Sequence, residues 1–235
     1  MNVNANPFIL FGTTHIVTII AIILLSIMLP LMYKVKTDYQ KSIMTKVIAF
    51  VIFCHVVISP YKDLYLLDTP YNWREVLPFH MCDLSEIFLI FFLLGGPSIL
   101  YKCAFFWGLA GATMAIITPD IAFLDLDYAF FMIGHGMIIV GIMYATIVLN
   151  NRPYAKDIIT VSIITALILL PITYAINLIL GEPANFWYLM QKPAGASLMD
   201  SFPEPPFHLL VTTPLAILMF CLVYMPYFIK DIIKK

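Results

Sequence analysis

The segment Pro78-Phe79-His80-Met81-Cys82-Asp83-Leu84-Ser85-Glu86 holds a thiol, an imidazole, a hydroxyl and two carboxylates within nine residues. A thiol becomes a nucleophile once a neighbouring base takes its proton, so this stretch is the first candidate for chemistry. Helical geometry limits what it can do alone. Residues two apart point to nearly opposite faces of a helix, so His80 is a poor direct base for Cys82. His80 and Asp83 share one face, and Cys82 shares another with Ser85 and Glu86. A base for Cys82 has to come from another helix. A helix N-terminus favours the thiolate form, and apolar burial opposes it. Structural alternatives stand beside each of these: Asp83-x-x-Glu86 reads as a capping box, His80 as an interfacial anchor, and Cys82 as an inert small hydrophobe.

The other histidines are His15, His55, His135 and His208. His135 lies in Phe131-Met132-Ile133-Gly134-His135-Gly136-Met137, and the flanking glycines let another group approach closely. A histidine buried there needs a partner or a task; it bridges helices by a hydrogen bond or it takes part in chemistry. His15 and His55 read more simply as bridging residues. His208 follows Pro205-Pro206 and opens the last apolar run.

The elements that must position these groups are membrane helices. The chain is 62% hydrophobic and 11% charged, with mean hydropathy +0.94, far from the composition of a soluble domain. Seven apolar runs approach the roughly 20 residues needed to cross a bilayer: about 14–33, 43–60, 77–96, 102–118, 129–149, 157–180 and 207–229. For the third run to reach that length its helix has to begin near Pro78, a favoured first-turn residue, and Gly95-Gly96-Pro97 ends it. The expected fold is all-α, a bundle of seven transmembrane helices forming a single integral membrane domain over 1–235. The N-terminal segment Met1 to Pro7 carries no lysine or arginine, so the first run reads as a retained helix rather than a signal peptide. The net charge of −1 suggests no nucleic-acid partner.

Basic residues orient such a bundle. Lys34, Lys36, Lys41, Lys46, Lys102, Arg152, Lys156, Lys230, Lys234 and Lys235 make ten of the thirteen basic residues and fall on one side, taken as cytoplasmic. Lys62, Arg74 and Lys192 fall opposite. This places the N-terminus outside and the C-terminus inside, in a multi-pass protein of the cell membrane. All five histidines and Cys82 then lie toward the outer side, a clustering that marks a functional site. Two outer loops, about 61–76 and 181–206, are long enough to fold over it. The second is rich in proline, glycine and aromatics, among them Pro183, Trp187, Tyr188, Pro193, Gly195 and Pro203.

At these residues the chain resembles the YwaF-like bacterial integral membrane proteins. Those are related to a eukaryotic membrane family that includes a cysteine-dependent phospholipid acyltransferase. More remote relatives are the androgen-induced and androgen-dependent membrane hydrolases. The resemblance is carried by Leu77 to Ser85, Ile117-Thr118-Pro119-Asp120, Phe131 to Gly136, Asn185 to Pro193, Ser197-Leu198-Met199-Asp200 and the proline-rich run into His208. It covers nearly the whole chain, in order. It implies a cysteine nucleophile at Cys82 and a histidine base at His135.

Three function classes follow. In the leading one, the protein is a membrane lipid acyltransferase or acyl hydrolase that needs no metal or cofactor. Cys82 attacks an ester carbonyl, His135 handles the proton, and His80, Asp83, Ser85 and His15 support the site. Asn185, Trp187, Tyr188 and His208 would contact a phospholipid or acyl-ester substrate. The second is a zinc hydrolase drawing ligands from His80, Asp83, His135, His208 and His15, although no HExxH-type spacing exists. The third is a transporter or binding protein. Glu86 is the deepest acid and the cytoplasmic halves carry no buried charge, which argues against an ion-coupled path.

Overall fold

The computed structural model describes residues 6–61, 71–192 and 198–233. Lys62, Lys234 and Lys235, used for the orientation, and Pro193 and Gly195 of the second loop lie outside the described residues. Within them the chain is helical, with no strand beyond one isolated bridge between Pro7 and Phe123. The helices are α1 (Thr13–Lys34), α2 (Asp38–Ile58), α3 (Met81–Leu93), α4 (Ser98–Ile117), α5 (Leu126–Ile147), α6 (Ala155–Ile164), α7 (Leu170–Leu180) and α8 (Leu209–Ile233).

Their ends follow from local sequence. Thr37 and Gln40 form a capping box at the start of α2: the Thr37 hydroxyl accepts from Gln40 N at 3.3 Å, and Gln40 Oε1 accepts from Thr37 N at 3.2 Å. Asp125 caps α5 by accepting from the N–H groups of Asp127 and Tyr128. α3 ends where Gly95 takes φ 102°, a left-handed conformation that glycine adopts without a Cβ penalty. Gly95 N and Gly96 N then donate to the carbonyls of Phe92 and Phe91, and Pro97 opens α4. α6 and α7 are joined by a π-helical turn over Thr165–Leu169. It lies just before Pro171, whose missing N–H disturbs the regular ladder.

Six helical stretches are long and apolar enough to cross a membrane: Thr13–Lys34, Asp38–Tyr61, Ser98–Ile117, Leu126–Ile147, Ala155–Leu180 and Leu209–Ile233. Their exposed faces are apolar, as lipid contact requires: Ile16, Ile20 and Leu24 on α1, and Leu210, Leu218 and Leu222 on α8. The multi-pass membrane class therefore stands. The third run differs from expectation. α3 has 13 residues, about 20 Å at 1.5 Å per residue, too short to span alone. It begins at Met81 and not near Pro78, because Phe79 commits its backbone elsewhere. Phe79 N donates to Leu77 O at 2.8 Å, and Phe79 O accepts the Trp187 indole N–H at 2.8 Å.

The described helices group into two compact units: α1 to α5, and α6 to α8 together with Asn72–His80. In the first unit α4 is the most enclosed helix. Tyr101, Phe105, Phe106 and Trp107 are at most 1% exposed, and α4 packs against both α3 and α5. α1 packs along α5, and α2 lies against α3 and α5. In the second unit α6 packs on α8, and α7 carries the turn Phe186–Tyr188.

Candidate functional site

Three helices of the first unit wall a cleft of ≈ 100 Å³. α2 lines it with His55 and the turn that follows α2 with Ser59, α3 with Cys82, Asp83 and Glu86, and α5 with Phe131, Gly134, His135 and Ile138. The spacing explains each contribution. His55 and Ser59 are four apart, as are Cys82 and Glu86, and the α5 residues follow the i, i+3, i+4, i+7 pattern of one helix face. From α4, Gly111 lies against the thiol: a Cβ built there would sit 3.5 Å from Cys82 Sγ. Cys82 is the second residue of α3, beside the first-turn N–H groups that have no partner within the helix.

His135 is held in a defined state. Its Nδ1 lies 2.8 Å from the carbonyl oxygen of Phe131, one turn back on α5. A carbonyl only accepts, so Nδ1 carries the hydrogen and Nε2 is the basic nitrogen. The Phe131 ring packs on the imidazole with centroids 4.3 Å apart, and fixes its plane. Cys82 and His135 therefore line the same cleft from different helices.

His55 and Glu86 form the second polar pair. His55 Nδ1 is 2.9 Å from Glu86 Oε1 and 3.1 Å from Oε2, with the hydrogen bond directed to Oε2. His55 Nε2 donates to the carbonyl of Phe130 at 3.1 Å. Glu86 is 3% exposed. The ring lies directly on α5: a Cβ at Gly134 would come within 2.2 Å of His55 Cε1. The open space left by that glycine is thus filled by a side chain of α2, and that beside Gly136 by Ile22 of α1. The sequence marks both His55 and Glu86 as polar residues in apolar runs, yet nothing local pairs them. The Asp83-x-x-Glu86 capping box does not arise, because the helix begins at Met81 and Asp83 lies inside it rather than at its N-cap.

The remaining site candidates lie elsewhere. Ser85 is fully buried and donates its hydroxyl to Met81 O at 2.8 Å, back onto its own helix. His15 is buried and satisfied at both nitrogens: Nδ1 accepts from Phe11 N at 3.0 Å, and Nε2 donates to Ile116 O at 2.8 Å. It ties α1 to the end of α4 and does not line the cleft. His80 precedes α3, so its expected shared face with Asp83 does not arise. In the second unit it packs against the rings of Phe186 and Tyr188 at 5.2 and 6.0 Å.

Asn185, Trp187 and Tyr188 also belong to that second unit. Asn185 Oδ1 accepts from the N–H groups of Met190 and Gln191. Trp187 and Tyr188 adopt φ values of 60° and 54°. This backbone is held by Asn177, which sequence reasoning had not singled out. It is 1% exposed, donates to Phe186 O and accepts from Phe186 N, both at 2.9 Å. His208 is buried in front of α8, and its carbonyl accepts from Val211 N and Thr212 N. Nearby, Lys192 pairs with Glu204 at 2.9 Å. Among the described residues, no three His, Cys, Asp or Glu side chains converge as metal ligands.

No curated protein and no solved structure matches the chain. Its sequence does match the TMEM164 family over residues 10–224, within which both the cleft helices and the aromatic turn fall. The chain accordingly belongs to the TMEM164 family.

Proposed function

We propose that this protein is a membrane acyltransferase or acyl hydrolase acting on lipid esters, with Cys82 as nucleophile and His135 as general base. One observation carries the proposal: Cys82 and His135, 53 positions apart in sequence, line one cleft, and His135 has its Nδ1–H occupied by Phe131 O. Nε2 is then the nitrogen suited to take the thiol proton. The thiolate attacks the ester carbonyl, the C–O bond to the leaving alkoxide breaks, and His135 returns the proton to that alkoxide. A thioester on Cys82 remains and passes to a hydroxyl-bearing acceptor or to water. The N–H groups at the start of α3 supply donors for the oxyanion.

The resemblance to the YwaF-like proteins, and through them to a cysteine-dependent phospholipid acyltransferase, supports the same assignment. The distribution of lysine and arginine supports a site near the outer face of the membrane. The apolar faces around the cleft unit suit a substrate that enters from the bilayer.

The test is covalent labelling of membranes with a lipid-like electrophile. Wild-type protein is labelled at Cys82, Cys82→Ala is not, and His135→Ala is labelled at least about 100-fold more slowly, the usual worth of a positioned base. Labelling that ignores both substitutions refutes the proposal.

A further inference from the structure

The mechanism above leaves one pair in the cleft unused. Glu86 is a carboxylate only 3% exposed, a burial that costs several kcal/mol unless it is offset by partners. His55 holds the two carboxylate oxygens unequally. The His55 Nδ1–H bond is directed to Oε2. Oε1 is buried and, among the described residues, receives no hydrogen bond, although Nδ1 lies 2.9 Å away. His55 cannot turn to serve it differently, because Nε2 is bound to Phe130 O and the ring rests on Gly134. Both residues line the cleft that holds Cys82 and His135.

The kind of group that Oε1 can bind follows from its chemistry. A carboxylate only accepts hydrogen bonds. The carbonyl of an ester or thioester also only accepts, so Glu86 cannot bind the reacting carbonyl. The acyl acceptor is different, because it brings an O–H. Glu86 lies four residues after Cys82, so their Cβ atoms are about 5–6 Å apart on one helix face. A hydroxyl bound at Oε1 therefore shares one cleft and one helix face with an acyl group carried on Sγ.

We infer that Glu86 is the base of the second half-reaction: it binds the hydroxyl of the acyl acceptor, an alcohol or water, and takes its proton as that oxygen attacks the Cys82 thioester. The inference rests on the acyl-transfer reading above. The new C–O bond forms as the O–H proton passes to Oε1. The C–S bond then breaks, and the proton moves from Glu86 to the departing thiolate, which restores Cys82 and the carboxylate. His55 is a positioning residue. Its Nδ1–H holds Oε2 and leaves Oε1 without a hydrogen bond among the described residues. Two acid–base groups thus divide the reaction, His135 serving acylation and Glu86 serving deacylation.

The experiment follows p-nitrophenyl decanoate with the purified full chain in detergent micelles, glycerol and water being the acceptors. The first turnover releases p-nitrophenolate and reports acylation. Later turnovers report deacylation. In Glu86→Gln the first turnover is expected to proceed at the wild-type rate while later turnovers slow about 100-fold. A decanoyl adduct on Cys82 should then accumulate in the intact mass and disappear with neutral hydroxylamine. Equal loss of both phases, or loss of neither, overturns the inference. If the glutamine variant does not fold, Glu86→Asp keeps the carboxylate one methylene short and must slow only the later turnovers; equal slowing of both phases again overturns it. Cys82→Ala separates the two levels. A first turnover that survives this substitution refutes the cysteine mechanism itself, whatever Glu86 does.

Discussion

Replacing Gly134 with alanine tests the packing on which the cleft depends. The added Cβ would lie 2.2 Å from His55 Cε1 and 2.5 Å from Nε2, where ordinary contact begins at 3.4 Å. The ring must retreat by more than 1 Å. It has no slack for this, because Nε2 is 3.1 Å from Phe130 O and Nδ1 is 3.1 Å from Glu86 Oε2. Displacement breaks both contacts and leaves Glu86 buried without its partner. Breaking a buried pair in this way costs about 3–5 kcal/mol, so Gly134→Ala is expected to destabilise the protein by about 3 kcal/mol. Equilibrium unfolding in detergent micelles measures this. The decisive comparison is a double-mutant cycle with His55→Ala, which removes the atoms that the new methyl strikes. On that background Gly134→Ala should cost less than about 1 kcal/mol. Equal costs on the two backgrounds, or a cost below about 0.5 kcal/mol in the wild type, refute the claim that Gly134 exists to admit His55.

Two further expectations separate structural residues from the cleft. His15→Ala leaves Phe11 N and Ile116 O without their buried partner; it should destabilise by about 2–3 kcal/mol while the alkylation rate of Cys82 in native protein stays unchanged. Asn177→Ala removes both hydrogen bonds to Phe186, worth about 2 kcal/mol together. Limited proteolysis within 181–192 should then accelerate about 30-fold through more frequent local opening.

Much of this molecule is legible from local sequence, because its determinants are local. Apolar length marks the six long helical stretches, Gly95-Gly96-Pro97 ends α3, and helical periodicity puts Cys82 and Glu86 on one face. The same periodicity indicates that no base for Cys82 lies on its own helix, and His135 reaches the cleft from α5. What escapes local reading depends on partners distant in the chain. α3 begins at Met81 because Trp187, more than 100 residues away, takes the Phe79 carbonyl. His55 looks like any bridging histidine until Glu86, 31 residues on, and the bare backbone at Gly134 meet its ring. His15 has the composition of a site residue and spends both nitrogens on helix packing. By itself the sequence determined which segments are helical, where they stop and which faces carry polar groups, since those follow from backbone hydrogen bonding and burial along one stretch of chain. Only the tertiary structure decided which of those polar groups meet, because a pairing across helices is set by packing, and no periodicity within a single helix encodes it.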